Sequence, residues 1–188
     1  MDHETVREVF PEADEIGDPA LREGVLAAWA GACEDAGVET AESLRALPWL
    51  PPVQRALGVP ADAERLVPHV RDVTAGAVSL AGALVARRET AVDTDLLVAG
   101  ALVHDVSKLV EFDGMDATRT YDLLGHPYWG VHVVARAGLP VELAHVVLSH
   151  TSRTDVDPAF LEAELVRRAD EAAANAIRLA YVDDLREA

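Results

Sequence analysis

The run DLLVAGALVHDVSK, residues 95–108, leads an apolar segment directly into two polar residues. Leu97 and Ala101 stand seven and three residues before His104, so helical spacing places all three on one stripe. A helix is expected from Asp95 to about Val103. Asp105 follows at once and sets a carboxylate beside the imidazole. The segment therefore reads as a core helix that delivers chemistry to its own end.

Outward from this run the chain reads as all helix. Asp18-Pro19 looks like an N-cap followed by Pro at the first helical position, and Gly37 is a suitable C-terminal stop. Between them Leu21, Val25, Ala28, Trp29 and Ala32 recur at helical spacing. Thr40 is placed to cap a short helix ending before Pro48, and Leu47 to Pro60 holds four prolines, so a loop with at most one short helix is expected. Further helices are expected from Pro68 to Arg88, near His126 to Gly138, from Pro140 to about Ser149, and from Asp157-Pro158 to about Tyr181. Val73, Leu80 and Leu84 should share the inner stripe of the first of these. Phe112 to Thr120 is expected to be a loop, and no period-two strand pattern is convincing. The most plausible internal boundary divides an N-terminal helical extension, residues 1–60, from a helical domain at 61–188. The extension, with Trp29, Trp49 and Pro51-Pro52, is expected to cap the core of one compact unit.

Composition narrows the function classes. The 188 residues, half of them apolar, suffice for one domain with a sizeable core. Thirty-three acids against sixteen bases give a net charge of −17, which disfavours non-specific nucleic-acid binding and anionic lipid surfaces. No apolar run approaches the roughly 20 residues of a membrane span. The opening MDHETVREVF lacks a basic n-region and an apolar h-region, so the expected compartment is the cytoplasm. A single cysteine, Cys33, excludes a disulfide framework and a cysteine-based zinc cluster. Fifteen of the sixteen bases are Arg, a habitat signature of a high-salt or high-GC source, and Lys108 alone is Lys.

Seven histidines occur, and four of them are placed to point inward. His69 shares a stripe with Val73, Gly76, Leu80 and Leu84. His104 directly follows the apolar part of the run quoted above. His126 opens a helix whose inner face includes Gly130 and Val133, and His150 follows Leu143 and Val146 at seven and four residues. Asp170 lies on a stripe with Ala163, Val166, Ala174 and Ile177. A lone histidine on an apolar stripe is more often a hydrogen-bonded core residue than a ligand. Four imidazoles and two carboxylates together match the donors of Fe, Mn, Zn or Ni. A shared aspartate would hold two ions roughly 3.5–4 Å apart. His3 lies near the terminus, His145 about 140° around its helix from His150, and His132 about 120° from His126. These three are read as surface or supporting residues. The acids Glu162, Glu164, Asp183 and Asp184 are read as a solvated face.

The order His69, His104-Asp105, His126, His150 and Asp170 resembles the HD-domain superfamily of metal-dependent phosphohydrolases. The resemblance spans about Leu66 to Ala180 and includes the downstream segment VRRADEAAANA, residues 166–176. It implies an all-α, HD-domain-like helical bundle with an N-terminal helical extension. His69, His104, Asp105 and Asp170 match the family's core metal quartet, and His126 and His150 match the added histidines of two-metal members. HPYWG at 126–130 resembles the HP-x-x-G pattern of the dinuclear phosphodiesterase branch. The GYP signature of that branch is missing from SHTSRTDVDPAF, residues 149–160, so cleavage of cyclic di-GMP is not implied. HDVSK resembles the family's HD-x-G-K with Ser107 in place of Gly. One-metal nucleotidases of the family usually carry an acid where Lys108 stands and match less well.

The resemblance implies two divalent ions, with iron or manganese foremost and zinc or nickel next. It implies a bridging, catalytic Asp105 and a Lys108 that meets a phosphate as a point charge. The substrate is expected to be a small phosphorylated molecule or nucleotide. Arg119, Tyr121, Tyr128, Trp129 and Arg153 flank the motif helices; of these Arg119, Tyr128 and Arg153, with Lys108, are carried as substrate-binding candidates. Two other readings stay open. A few HD-like proteins use a mixed-valent di-iron pair and O₂ with the same six ligands, and a non-catalytic helical binding module is the third. A homo-oligomer is compatible with all three.

Overall fold

The structure, a computed structural model, describes residues 1–187. Among the described residues there are ten α-helices and one two-stranded sheet, so the fold is all-α. The chain opens with α1 (His3–Val9), capped by the Asp2 side chain, and a 3₁₀ turn at Pro11–Glu15. Helix α2 (Pro19–Ala36) starts where Asp18 accepts from the N–H groups of Ala20 and Leu21 and stops at Gly37. Thr40 and Ser43 form a capping box on α3 (Ala41–Arg45), and α4 (Pro51–Leu57) fills the proline-rich stretch. The longest helix, α5 (Leu66–Arg88), is followed by α6 (Thr94–Val103).

Every residue of α6 from Leu97 to Val103 is buried, the pattern of a helix covered on all sides. It packs against α2, α5, the later α9 (Val141–Ser149) and α10 (Leu161–Leu179). Asp95 accepts from the backbone N–H groups of Gly17 and Asp18 at 2.8 and 2.7 Å, which pins the start of α2 to α6. Trp29, fully buried, donates its indole N–H to the Leu102 carbonyl at 2.9 Å. The N-terminal helices thus complete the core around the segment that carries His104-Asp105.

After α6 the chain tightens into a 3₁₀ turn, Val106–Val110. A short hairpin, β1 (Phe112–Asp113) and β2 (Asp116–Ala117), and α7 (Arg119–Leu123) lead to α8 (Gly125–Arg136). Helices α8 and α9 approach closely at Gly130, where an added Cβ would lie 2.5 Å from a Val147 methyl.

Several sequence expectations need correction. The last helix begins at Leu161, not at Asp157-Pro158. The Ala159 N–H instead donates to His145 Nε2 at 2.9 Å, and the Phe160 ring packs on that imidazole, so this segment is bound to α9. Leu80 is 41 % exposed, because α5 turns Val73, Ala77 and Ala81 toward the core. The expected loop at Phe112–Thr120 contains the hairpin. Helices α1 and α7 are short and lack an extended apolar stripe, so helical spacing in the sequence announces neither.

Candidate metal centre

Six side chains converge from five helices. His69 lies in the first turn of α5, His104 caps the end of α6 with Asp105 beside it, and His126 begins α8. His150 caps the end of α9, and Asp170 comes from the middle of α10. All four histidines and Asp105 are buried.

Asp105 faces two groups at once. Its Oδ2 lies 3.5 Å from His69 Nε2 and 3.3 Å from His104 Nε2. Its Oδ1 lies 3.5 Å from both His126 Nε2 and His150 Nε2. Asp170 Oδ1 stands 3.0 Å from His69 Nε2 and 3.9 Å from His104 Nε2, and the two imidazoles of the other group are 3.3 Å apart. Two nitrogen or oxygen atoms bound to one ion at about 2.1 Å lie about 3 to 3.5 Å apart. The quartet His69, His104, Asp105, Asp170 and the trio Asp105, His126, His150 each gather ligand atoms within 4.8 Å.

The chemistry of the donors fits a cation as well as their spacing does. His104 Nδ1 lies 2.6 Å from the Ala101 carbonyl and His150 Nδ1 2.8 Å from the Val147 carbonyl. His126 Nδ1 lies 3.1 Å from Glu111 Oε2. Each partner is an acceptor, which places a proton on Nδ1 and turns the Nε2 lone pair inward, the arrangement of a metal-bound histidine. His69 Nε2, His104 Nε2 and Asp105 Oδ1 are buried without a hydrogen-bond partner in the protein. Buried polar atoms left this way are costly, and a bound ion supplies the missing partner.

Charge is distributed unevenly across the cluster. Burial opposes ionisation of Asp105, but the Lys108 ammonium and then His104 hold its carboxyl well below the ordinary range. Asp170 is likewise lowered: burial opposes its charge, and the adjacent His69 imidazole, with His104 behind it, outweighs it. Burial pulls the His69 imidazole down, yet Asp105 and Asp170 together raise it, so the field at His69 favours a positive charge. Burial pushes His126 down to about 4, with Glu111 opposing in part. A neutral His126 is ready to act as a ligand.

Glu111 was not singled out from the sequence. It is fully buried; Oε1 accepts from the His126 backbone N–H at 2.5 Å and from Arg153 Nη1 at 3.2 Å. Gly125, with φ +73°, precedes His126, and a Cβ there would lie 3.1 Å from the Arg153 guanidinium. An acid three residues after Lys108, closing the pair Leu109-Val110, was the available signal. The 3₁₀ turn changes the register there, so helical spacing did not assign Glu111 to the inner face.

A cavity of about 190 Å³ opens over His126, His150 and Asp170. Trp49, Lys108, Arg153 and Arg178 line it, so two of the four substrate-binding candidates are brought to it. Arg119 and Tyr128 are not among its lining residues, and Tyr128 is 50 % exposed. Tyr121 supports the rim from behind, its ring 4.6 Å from Arg153 Cζ. His132 is exposed, His3 contacts Glu23 at the surface, and His145 holds the segment before α10.

Buried imidazoles and carboxylates on an all-helical frame, three of the imidazoles anchored through Nδ1 and two with an unpartnered Nε2, suggest divalent-metal binding. Residues 67–175, more than half of the chain, match the family model of the HD domain, and the chain belongs to that family. The cluster fits a metal-binding HD site, and HD domains are typical of metal-dependent phosphohydrolases. No solved structure matches the chain.

Proposed function

We propose that this chain is a two-metal phosphohydrolase acting on a small phosphorylated molecule. The observation that carries the reading is the division of Asp105, with Oδ2 toward His69 and His104 and Oδ1 toward His126 and His150. His69, His104, Asp105 and Asp170 would hold one ion, and Asp105, His126 and His150 the other. When bound, a pair of such ions generates hydroxide near neutral pH and neutralises phosphate charge. Lys108, 8 % exposed and at the cavity wall, adds a fixed positive charge for the non-bridging oxygens. Hydrolysis consumes one water: the phosphorus–oxygen ester bond breaks, a new phosphorus–oxygen bond forms, and the leaving alkoxide takes a proton.

The test is elemental analysis of the purified chain followed by a phosphoester screen on the same sample. The expected result is about two ions per chain, foremost iron or manganese, and release of inorganic phosphate that chelation abolishes. Failure to bind metal after reconstitution would return the histidines to a structural role. Oxygen uptake by the iron-loaded chain without phosphate release would reassign the centre to oxygen chemistry.

A further inference from the structure

Trp49 comes from the N-terminal part of the chain, outside the stretch that matches the HD family, yet it lines the same cavity as Lys108 and His126. Its ring lies 5.3 Å from that of His69 and 5.8 Å from Arg178 Cζ. The segment bearing it is fastened at several points. The Trp49 N–H donates to the Glu64 carbonyl at 3.1 Å, and the Leu66 N–H donates to the Leu47 carbonyl at 3.0 Å. Buried Gln54 accepts from the Leu50 N–H at 3.0 Å and donates to the carbonyls of Pro60 and Glu64. This wall is a built part of the cavity.

Size and charge then restrict the occupant. At about 190 Å³ the cavity is smaller than the roughly 300–1,000 Å³ usual for small-molecule sites. It corresponds to about six waters at roughly 30 Å³ each. Three cations, Lys108, Arg153 and Arg178, line it in a chain whose net charge is −17. The Trp49 indole N–H is buried with no acceptor in the protein. A ligand oxygen is a natural acceptor for it.

We infer that the substrate is a compact phosphomonoester whose organic part has only a few carbons, and that Trp49 is the residue that excludes nucleotides. This rests on the phosphohydrolase reading and deepens it. The dianionic phosphate meets Lys108 and the two arginines, and the Trp49–Leu50 wall narrows the space beside it that a base and ribose would need.

The experiment compares hydrolysis of glycerol 3-phosphate and AMP by the metal-loaded full-length chain and its Trp49→Ala and Trp49→Phe variants. Binding of inorganic phosphate is measured by calorimetry on each protein. The wild type is expected to favour glycerol 3-phosphate by 100-fold or more in kcat/KM. Trp49→Ala should narrow that ratio at least tenfold, chiefly through a lower KM for AMP, with phosphate binding retained. Trp49→Phe keeps the wall, so it should preserve the ratio while raising KM a few-fold for both substrates. Equal use of AMP by the wild type, or an unchanged ratio in a Trp49→Ala protein that still binds phosphate, overturns the inference. Loss of all phosphate binding and hydrolysis in the wild type would instead overturn the reading beneath it.

Discussion

Lys108 Nζ lies 2.5 Å from Asp105 Oδ2, on the same carboxylate oxygen that faces His69 and His104. The only lysine of the chain therefore pairs with the residue proposed to bridge two ions. This ammonium balances a buried negative charge, a task that bound metal would share.

Lys108→Ala separates the two duties. With metal bound, turnover is expected to fall by about 10²–10³-fold, the scale of losing one charge-stabilising group, while metal content persists. Without metal, the variant takes the ammonium away from the buried Asp105 carboxylate and leaves only the neighbouring imidazoles, and stability should drop by about 3–5 kcal/mol. Denaturant melts with and without metal, read beside kcat, check both parts. Loss of metal from the variant would show that Lys108 supports the ligands and not the reaction.

Glu111→Gln tests how His126 is held. The substitution keeps the size of the side chain but gives up the anionic acceptor beside His126 Nδ1 and the partner of Arg153. Affinity for the ion on His126 and His150 should fall about 10–100-fold, as is usual when such supporting bonds are lost. Titration with manganese should then resolve one retained and one weakened site. Two unchanged sites would remove Glu111 from the centre.

Acid should weaken the metal-free chain in a defined window. His126 is held down to about 4, whereas an unfolded histidine titrates near 6.5. Between these values the unfolded chain binds a proton that the folded chain does not, so stability falls as pH falls. The full effect is on the order of 3 kcal/mol. His69 is raised, so its contribution is complete below its unfolded value and is lost only as pH rises through its folded value. Asp105 and Asp170 are lowered, and their contribution is lost only at more acidic pH. Thermal melts from pH 7 to 4 should show the loss, and His126→Gln should flatten the slope.

Gly130→Ala probes the packing that sets His126 against His150. The new Cβ would fall 2.5 Å from Val147 Cγ1 and 3.1 Å from Ser107 Oγ. Ser107 already donates to the His126 carbonyl at 2.6 Å, so the helix has little freedom to shift. Destabilisation of about 1–3 kcal/mol is expected from overpacking, read from the urea midpoint.

The parts of this molecule written in local pattern were legible. The Asp18-Pro19 start and Gly37 stop of α2 depend only on neighbours in sequence, and the structure reproduces both. The six inward-facing residues followed from helical stripes and from a resemblance in order, and they meet in one place. What escaped depended on distant partners or a changed register. Glu111 lies beyond a 3₁₀ turn, Trp49 reaches the cavity through a loop tied to the start of α5, and Pro158 follows α9 because His145 binds the next residue's N–H. Arg119 and Tyr128 are candidates by proximity in sequence, and on α7 and α8 both are exposed and neither lines the cavity.

Gln54 closes the 47–65 segment on itself through three hydrogen bonds, so the rim bearing Trp49 carries its own bracing. The cluster residues lie from His69 to Asp170, whereas the bracing lies wholly upstream of them. Mutations in this stretch therefore replace none of the cluster residues, although the Trp49 ring rests against His69. A lineage that needed a different substrate could begin by rewriting these few upstream residues, changing its diet before touching the cluster.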